Sequence, residues 1–408
     1  MATEREPPAA ADGVHVDPAG QLAFLEEHTL APEGGVVAEG TGKLKLVLGS
    51  AGAGKTHFLE AALALGQRHG MATVLISAER TPLYGFDHLY QAVAGGLDLT
   101  QLARDFVTLV LRQAGYEDLE LAPGQTLGRW CQESGREAGP MRVTLEEELH
   151  RRLVRCPDLD LAHAQGLARW CELVAWGSPP EDPMAEGLLE HWLRGERVAR
   201  RDCNRLRLRR PVDRYGARLW LRSLVHFLRA AGRPGLVVAV DDLGVVLGRR
   251  RAAEAPTEPG ASPLPHYMRQ RRDDLYEMLR TLVDEMGLLP GLLLLLAAPP
   301  EILTDGRVGI PRYVALEERM KSEVQTVELN RFADTITLER LWAADPEAGR
   351  TLAERLAAAL APTAGPEVRA RAVQAALEQW RVRDVTVGAV RETVLAALGA
   401  TGGGEGSA

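Results

Sequence analysis

The residues best suited to chemistry lie between positions 49 and 56, which read GSAGAGKT. Gly49, Gly54, Lys55 and Thr56 satisfy the spacing GxxxxGK(S/T), in which glycines let successive backbone N–H groups curl around phosphates. The lysine reaches the β and γ phosphates of a nucleotide, and the threonine hydroxyl binds Mg²⁺. A helix that follows the loop presents its positive end to the anion. The expected nucleotide-binding residues are Gly49, Ser50, Ala51, Gly52, Ala53, Gly54, Lys55, Thr56 and the adjacent His57, for which packing on the helix is the alternative role.

A pair of carboxylates, Asp241 and Asp242, follows the apolar run LVVAV at 236–240. A carboxylate that ends a buried strand beside the loop strand can hold Mg²⁺ through water, and we assign this role to Asp241. An Asx cap of the strand end is the alternative. Many additional-strand ATPases carry a glutamate at the next position, where it deprotonates the attacking water. Since Asp242 is one methylene shorter, we expect ATP hydrolysis that is slow, stimulated by a partner or absent.

The apolar stretch at 291–298 ends in two alanines and is followed by two prolines, so it offers no side-chain hydrogen bond to a γ-phosphate.

Three further side chains are candidates for catalysis or nucleotide contact. Glu79, at the end of a predicted strand, is a substitute water activator or a solvated strand-end carboxylate. Arg319 lies where an arginine finger or sensor is expected, and Arg391 opens a predicted lid helix. A surface position is the alternative for both arginines, because arginine is abundant throughout this chain.

The elements that must position these residues alternate between strand and helix. Residues 43–50 and 71–80 read as buried strands, and residues 55–70 between them have helical periodicity. Strand, helix and strand form a βαβ unit, which implies a parallel sheet. Further buried strands are predicted at 233–244 and 291–298. The predicted fold class is α/β: a RecA-like parallel-sheet P-loop NTPase core, similar to AAA+ or STAND proteins, with a helical insertion and a small C-terminal helical lid.

Segment boundaries follow changes in composition and periodicity. The two ends of the chain carry little apolar surface to bury, so we expect them to be flexible. A helical pattern with polar breaks interrupts the core, and three helical patterns follow it. The predicted organisation is a flexible N-terminus (1–16), a first core segment (17–100), a helical insertion (101–193), a second core segment (194–335), a helical lid (336–400) and a flexible tail (401–408).

Composition excludes several classes of protein. The chain has 408 residues, a formal net charge of −8 and 46% hydrophobic residues, as in ordinary globular proteins. This net charge argues against a protein that coats nucleic acid over its whole surface. The four cysteines are scattered without a CxxC motif, which favours reduced thiols in a cytosolic setting. The most apolar stretch, 287–300, is too short to span a bilayer. We therefore expect a cytoplasmic protein without membrane contact.

An arginine cluster occupies residues 194–214, where nine arginines accompany three acidic residues. One hypothesis is contact between Arg194–Arg214 and a DNA or RNA backbone, since each phosphate contact releases condensed counterions. An interface for an acidic partner or an internal ion-pair network is the alternative. No aromatic residues interleave the cluster, so stacking on single-stranded bases is not indicated.

Five stretches together resemble the BrxD-type ATP-binding proteins of bacteriophage-exclusion (BREX) defence systems. They begin VVAEGTGKLKLVLGS, VLISAERTPLYGFDHLY, RLWLRSLVHFLRAAGRPGLVVAVDDL, DDLYEMLRTLVDEMG and YVALEERM. The resemblance covers roughly residues 17–100 and 200–330 and the lid, and the glycine loop and Asp241 match directly. Asp242 replaces the usual glutamate, and Pro299 stands where a threonine usually precedes Pro-Glu. The Asp-Asp ending is also similar to that of STAND ATPases, which are slow nucleotide switches.

The resemblance implies an origin-recognition-like AAA+ ATPase that uses ATP and Mg²⁺. It implies other defence-system proteins and DNA as partners, and it leaves a homo-oligomer open. The expected function is ATP binding with slow or partner-stimulated hydrolysis, as an ATPase subunit of an antiphage defence complex. The alternative is an ATP-locked scaffold or signalling switch that does not hydrolyse ATP.

Overall fold

A parallel sheet forms the centre of the fold. The computed structural model describes residues 16–33, 35–179, 182–208, 213–248, 267–320, 333–362, 364–380 and 386–402. Within these ranges the sheet has five strands, all parallel, in the order β2-β3-β4-β1-β5. They are β1 Lys43–Leu48, β2 Ala72–Ser77, β3 Leu236–Asp241, β4 Leu292–Ala298 and β5 Thr335–Thr337.

The four long strands confirm the predicted parallel sheet. The central strands β3 and β4 are continuous runs of Leu, Val and Ala up to Asp241, because a central parallel strand is covered on both faces. Strands β3 and β4 are buried at every position. The fifth strand was not predicted, since three residues, Thr-Ile-Thr, are too short for a periodic signal. It pairs with β1 from Leu46 to Leu48.

A buried lysine helps to attach β5 to the centre of the sheet. Lys45 on β1 is 5% exposed, and its Nζ donates to the carbonyl of Ala333 at 2.5 Å. Burial lowers the pKa of Lys45 to about 8, and the nearby Asp334 carboxylate partly opposes this shift. The segment that leads into the C-terminal helices is therefore joined to the strand that leads into the glycine loop.

Helices cover both faces of the sheet. In chain order they are α1 Gln21–Leu25, α2 Val36–Glu39, α3 Lys55–Arg68, α4 Phe86–Gly95, α5 Leu99–Gln113, α6 Leu127–Ser134, α7 Ala138–Leu149, α8 Leu161–Trp176, α9 Ala185–Leu193, α10 Arg200–Arg205, α11 Ala217–Ala230, α12 Arg269–Glu285, α13 Val314–Met320, α14 Leu338–Ala344, α15 Pro346–Leu360, α16 Pro366–Trp380 and α17 Val387–Gly402.

Two hydrophobic cores form, one on each face of the sheet. Successive side chains of a strand point to opposite faces, so β1 contributes Leu44, Leu46 and Leu48 to one core and Val47 to the other. The first core contains apolar residues of α4 to α12, and the second contains those of α1, α3 and α14 to α17. We call these the insertion face and the loop face.

The helices of residues 101–193 share the core of the insertion face with the sheet. Helix α5 begins at Leu99, where the Asp98 side chain accepts a hydrogen bond from the N–H of Gln101 at 2.8 Å and so caps the helix. Phe106 of α5 packs against Phe227 of α11 with ring centroids 5.4 Å apart. This face thus has one continuous core that joins insertion helices to sheet strands.

Most of the residues predicted to be flexible at the two ends of the chain lie outside the described residues, which begin at 16 and end at 402.

The three predicted lid helices correspond to α15, α16 and α17. Among the helices described, none combines the length and apolar character needed to cross a membrane.

Candidate nucleotide-binding site

The glycine loop connects the carboxyl end of β1 to the start of α3. Gly52 and Gly54 have φ values of 81° and 94°, in the left-handed region where side chains are disfavoured. A Cβ on Gly49 would lie 2.8 Å from the Cβ of Ala53, so the loop closes tightly only with glycine there. The glycines of the motif therefore lie at the positions where the loop backbone requires glycine.

The Lys55 ammonium lies against the inner carbonyls of the loop. Its Nζ donates to the carbonyl of Gly49 at 2.7 Å and to that of Ser50 at 2.8 Å. The backbone N–H of Gly49 donates to the carbonyl of Ala298, at the end of β4, at 3.1 Å. The end of β4, which offers no polar side chain, thus supports the loop through its backbone.

The structure brings Asp241 and Thr56 together. Strand β3 is separated from β1 by β4, yet the Thr56 hydroxyl donates to Oδ2 of Asp241 at 2.5 Å. The other oxygen, Oδ1, accepts from the N–H of Asp242 at 2.8 Å, which is the strand-end cap considered from the sequence. One oxygen of the carboxylate therefore caps the strand, and the other contacts the first turn of α3.

Asp242 is held towards the opposite edge of the sheet. Its φ is 60°, an uncommon conformation that aspartate tolerates better than most residues. Ser77 at the end of β2 donates to Oδ2 of Asp242 at 3.0 Å. Strand β2 lies on the side of β3 away from β4 and β1, so this contact directs the carboxylate away from Lys55 and Thr56. Glu79 lies in the turn that follows β2, on the same side.

The lid contacts the loop directly. The N–H of Gly388 donates to the carbonyl of Gly52 at 2.8 Å. A Cβ on Gly54 would lie 3.4 Å from Cγ2 of Val387, so the start of α17 covers this part of the loop. Arg391 is exposed one helical turn beyond Val387, on the helix that makes these contacts.

A second contact to the loop comes from α14, which follows β5. The backbone N–H of Ser50 donates to Oε1 of Glu339. Neither Glu339 nor Gly388 was recognised from the sequence as part of the site, although Arg391 on the same helix as Gly388 was a candidate. A Glu after a Thr-Ile-Thr run carries no motif signal, and its position becomes apparent only when β5 pairs with β1.

Arg319 lies far from the glycine loop along the sheet. Its Nε donates to Oδ1 of Asp284 at 2.5 Å. Asp284 is near the end of α12 that leads into the start of β4, at the amino edge of the sheet, whereas the loop follows the carboxyl end of β1. The structure does not bring Arg319 to the loop of the same chain, and a role in a neighbouring copy stays a prediction.

His57 is half-buried on the first turn of α3. Burial lowers the pKa of its imidazole, and the Glu60 carboxylate partly opposes the shift. A neutral imidazole at neutral pH is compatible with the packing role considered from the sequence.

Ion pairs occupy part of the arginine cluster. Arg194 pairs with Glu190 at 2.8 Å, Arg205 with Asp182 at 3.2 Å and Arg214 with Asp274 at 3.0 Å. These contacts fit the ion-pair alternative. The exposed arginines of the cluster also include Arg197, Arg200 and Arg207, while Arg209 and Arg210 lie outside the described residues.

Comparison with known families gives one match over most of the chain. The family model described as BREX system ATP-binding protein BrxC/D matches residues 25–254 and 264–390. Searches of curated proteins and of solved structures gave no significant match.

Proposed function

The chain belongs to the BrxC/D family of BREX system ATP-binding proteins, and on that premise we propose that it binds ATP together with Mg²⁺ between the glycine loop and Asp241. In this proposal the protein is a cytoplasmic AAA+-type subunit of an antiphage defence complex. Other proteins of the defence system are its partners, and a homo-oligomer is the proposed assembly. Hydrolysis is slow, or depends on a partner, because of the way in which Asp242 is held.

The observation that carries the proposal is the contact between Thr56 and Asp241. The two residues are separated by 185 positions in the chain, and the fold joins them beside the loop. Hydroxyl and carboxylate oxygens are the ligands that Mg²⁺ prefers, and a P-loop Ser/Thr with a strand-end Asp is the usual pair in P-loop NTPases. The residues present therefore fit Mg²⁺ with a triphosphate.

The other loop residues have separate tasks in the proposed complex. Backbone N–H groups at the start of α3 face the phosphates, and the N-terminus of this helix adds a favourable dipole. Lys55 moves from the loop carbonyls to the β and γ phosphates, since both positions lie within reach of its flexible side chain. Arg391, on the helix that covers the loop, supplies a second cation.

Slow hydrolysis follows from the position of Asp242. A general base must be within hydrogen-bond reach of the attacking water. The contact with Ser77 instead holds the Asp242 carboxylate towards β2. A partner that breaks this contact would release the carboxylate, and Glu79 is the other candidate base on the same edge of the sheet.

A non-hydrolysing scaffold is the second candidate function, and the same observation favours it. Phosphate release by the wild type, Asp242→Glu and Glu79→Gln separates the two. A gain in Asp242→Glu supports a slow ATPase, although glutamate at this positive φ costs about 1 kcal/mol or more. Zero release in every variant, with tight ATP binding retained, supports the scaffold. Loss of release in Glu79→Gln alone would assign the base to Glu79.

DNA contact through Arg194–Arg214 is a separate hypothesis, supported by the exposed Arg197, Arg200 and Arg207. Reversing these three charges should abolish duplex binding, and wild-type binding should weaken steeply as salt rises. A gel shift of the wild type that is insensitive to salt, or no shift at any salt concentration, would contradict the hypothesis.

A further inference from the structure

Glu339 contacts the glycine loop from the side opposite to Lys55. The Lys55 ammonium is 2.7 Å from the carbonyl oxygen of Gly49, and that carbonyl belongs to the peptide whose N–H is the N–H of Ser50. This N–H donates to Oε1 of Glu339. All described peptide bonds are trans, and the C=O and N–H of a trans peptide point in opposite directions. Glu339 therefore lies behind the loop, and Lys55 lies in front of it.

This geometry excludes two other roles for the Glu339 carboxylate. A carboxylate inside the loop would compete with phosphates for the N–H groups, and one beside Lys55 would form an ion pair with it. Glu339 does neither, because the Gly49–Ser50 peptide separates its Oε1 from the ammonium. Its effect on a bound nucleotide must therefore pass through the backbone of the loop.

We propose that Glu339 is a positioning residue for the nucleotide: its carboxylate fixes the orientation of the Gly49–Ser50 peptide, and so keeps the loop backbone in the shape that receives the phosphates. The proposal rests on the ATP-binding function proposed above. A loop with glycines at 49, 52 and 54 has many alternative backbone conformations, and one hydrogen bond to a charged acceptor selects among them.

The burial of Glu339 supports a specific role for one of its two oxygens. Oε2 is buried, and among the described residues no donor reaches it. Burying a carboxylate oxygen without a hydrogen-bond donor costs free energy. The hydrogen bond between Oε1 and the Ser50 N–H offsets part of this cost. A glutamine at this position keeps an acceptor for Ser50 and removes the charge. Glutamine should therefore preserve the loop, whereas a side chain without an acceptor should not.

Glu339 and Gly388 together hold the loop from the C-terminal part of the chain. Glu339 fixes the N–H of Ser50, and the N–H of Gly388 fixes the carbonyl of Gly52 at 2.8 Å. Glu339 follows β5 directly, and β5 is attached to β1 beside the loop. The loop is therefore ordered by contacts with α14 and α17 before a ligand binds.

The test compares ATP affinity in Glu339→Met, which keeps length but removes the acceptor, with Glu339→Gln and with the wild type, by calorimetry with ATP and Mg²⁺. Glu339→Met should bind about tenfold more weakly, and Glu339→Gln should stay within about threefold of the wild type. Glu347→Met is the matched control, because the Glu347 side chain is 80% exposed on the neighbouring helix α15. Its affinity should equal that of the wild type.

Each outcome decides the inference. Wild-type affinity in Glu339→Met, or equal losses in Glu339→Met and Glu339→Gln, would overturn it, as would tighter binding in Glu339→Met. A wild type that binds no ATP would instead refute the underlying function. If Glu339→Met does not fold, amide hydrogen exchange in the ligand-free wild type remains decisive: the Ser50 amide must be protected, and rapid exchange there contradicts the proposal.

Discussion

The polar side chains on the two faces of the sheet differ in where they lie and in what they contact. On the insertion face, polar groups contact each other inside the core: Tyr90 hydrogen-bonds to Nε2 of His163 at 2.9 Å, and Trp220 stacks on the His163 ring at 4.7 Å. On the loop face, polar contacts join distant segments at the carboxyl edge of the sheet, where Gly52 and Thr56 are exposed. The first arrangement favours stability, and the second favours ligand binding.

Because these polar contacts lie in different places, mutations should affect stability and nucleotide binding separately. A core substitution on the insertion face should change the free energy of unfolding and leave the affinity of the folded protein for ATP unchanged. A substitution at the loop should do the reverse.

Replacement of Trp220 by alanine should have the largest effect. Trp220 is 1% exposed and contacts Trp192 at a ring-centroid distance of 4.4 Å. Its removal leaves a cavity and should lower the free energy of unfolding by about 3–5 kcal/mol, measured by urea denaturation. Leu219→Ala, at a 40% exposed neighbour on the same helix, is the control and should change little. Loss of ATP affinity in folded Trp220→Ala protein would break the proposed separation.

Replacement of Lys55 by alanine should act almost entirely on ligand binding. We expect a loss of about a hundredfold in ATP affinity, equivalent to about 2.7 kcal/mol, because a charge that contacts the phosphates is removed. The free energy of unfolding of the ligand-free protein should change by less than about 1 kcal/mol. Lys43→Ala, at the far end of β1, is the control for removal of a lysine charge. Equal ATP affinities in Lys55→Ala and the wild type would contradict the site.

Acid should weaken the insertion face through His163. Burial lowers the pKa of the His163 imidazole to about 3, compared with 6.5 for an exposed histidine. The unfolded chain therefore binds the proton more readily, so this contribution to stability is complete above pH 6.5 and is lost as pH falls towards 3. Between pH 7.5 and 5.5 the loss should be about 1.4 kcal/mol.

Urea denaturation of the wild type and His163→Phe at the two pH values checks this prediction. Phenylalanine keeps the ring against Trp220 and cannot titrate, so its stability should depend less on pH. Burial also lowers the pKa values of His57 and His226, but their contributions are common to both proteins. Parallel pH profiles for the two proteins would show that His163 is not the group responsible.

Ser77→Ala should have the smallest effect, and it sharpens the account of the carboxylate pair. Without the Ser77 hydroxyl the Asp242 side chain can turn towards Thr56, so basal phosphate release should rise about two- to tenfold. Ser77→Thr keeps a hydroxyl and serves as the control. A slower rate in Ser77→Ala would mean that Ser77 supports the active carboxylate instead of restraining it.

Local sequence determined what could be predicted of the fold and the site. The central strands and the glycine loop are read from consecutive residues, because a buried apolar run and a glycine spacing each need no distant partner. Asp241 was assigned to the loop because the carboxyl ends of parallel strands lie at one edge of the sheet, and the structure places it there.

Contacts that depend on a short strand or on the exact strand register could not be predicted. Glu339 reaches Ser50 only because β5 pairs with β1, and Ser77 reaches Asp242 because the strand register places Ser77 opposite Asp241. The position of Arg319 after the last long strand suggested a finger or sensor, while within the chain it pairs with Asp284 at the other edge of the sheet, so a role in a neighbouring copy stays a prediction.

Calorimetric titration with ATP in the presence and absence of Mg²⁺, on the wild type and Asp241→Asn, shows whether ATP and Mg²⁺ bind between the glycine loop and Asp241. The wild type should give a saturable isotherm that is tighter with Mg²⁺. Asp241→Asn should bind ATP with little dependence on the metal, because the carboxylate that faces Thr56 has lost its charge. No binding heat from the wild type, or the same metal dependence in both proteins, would contradict the account.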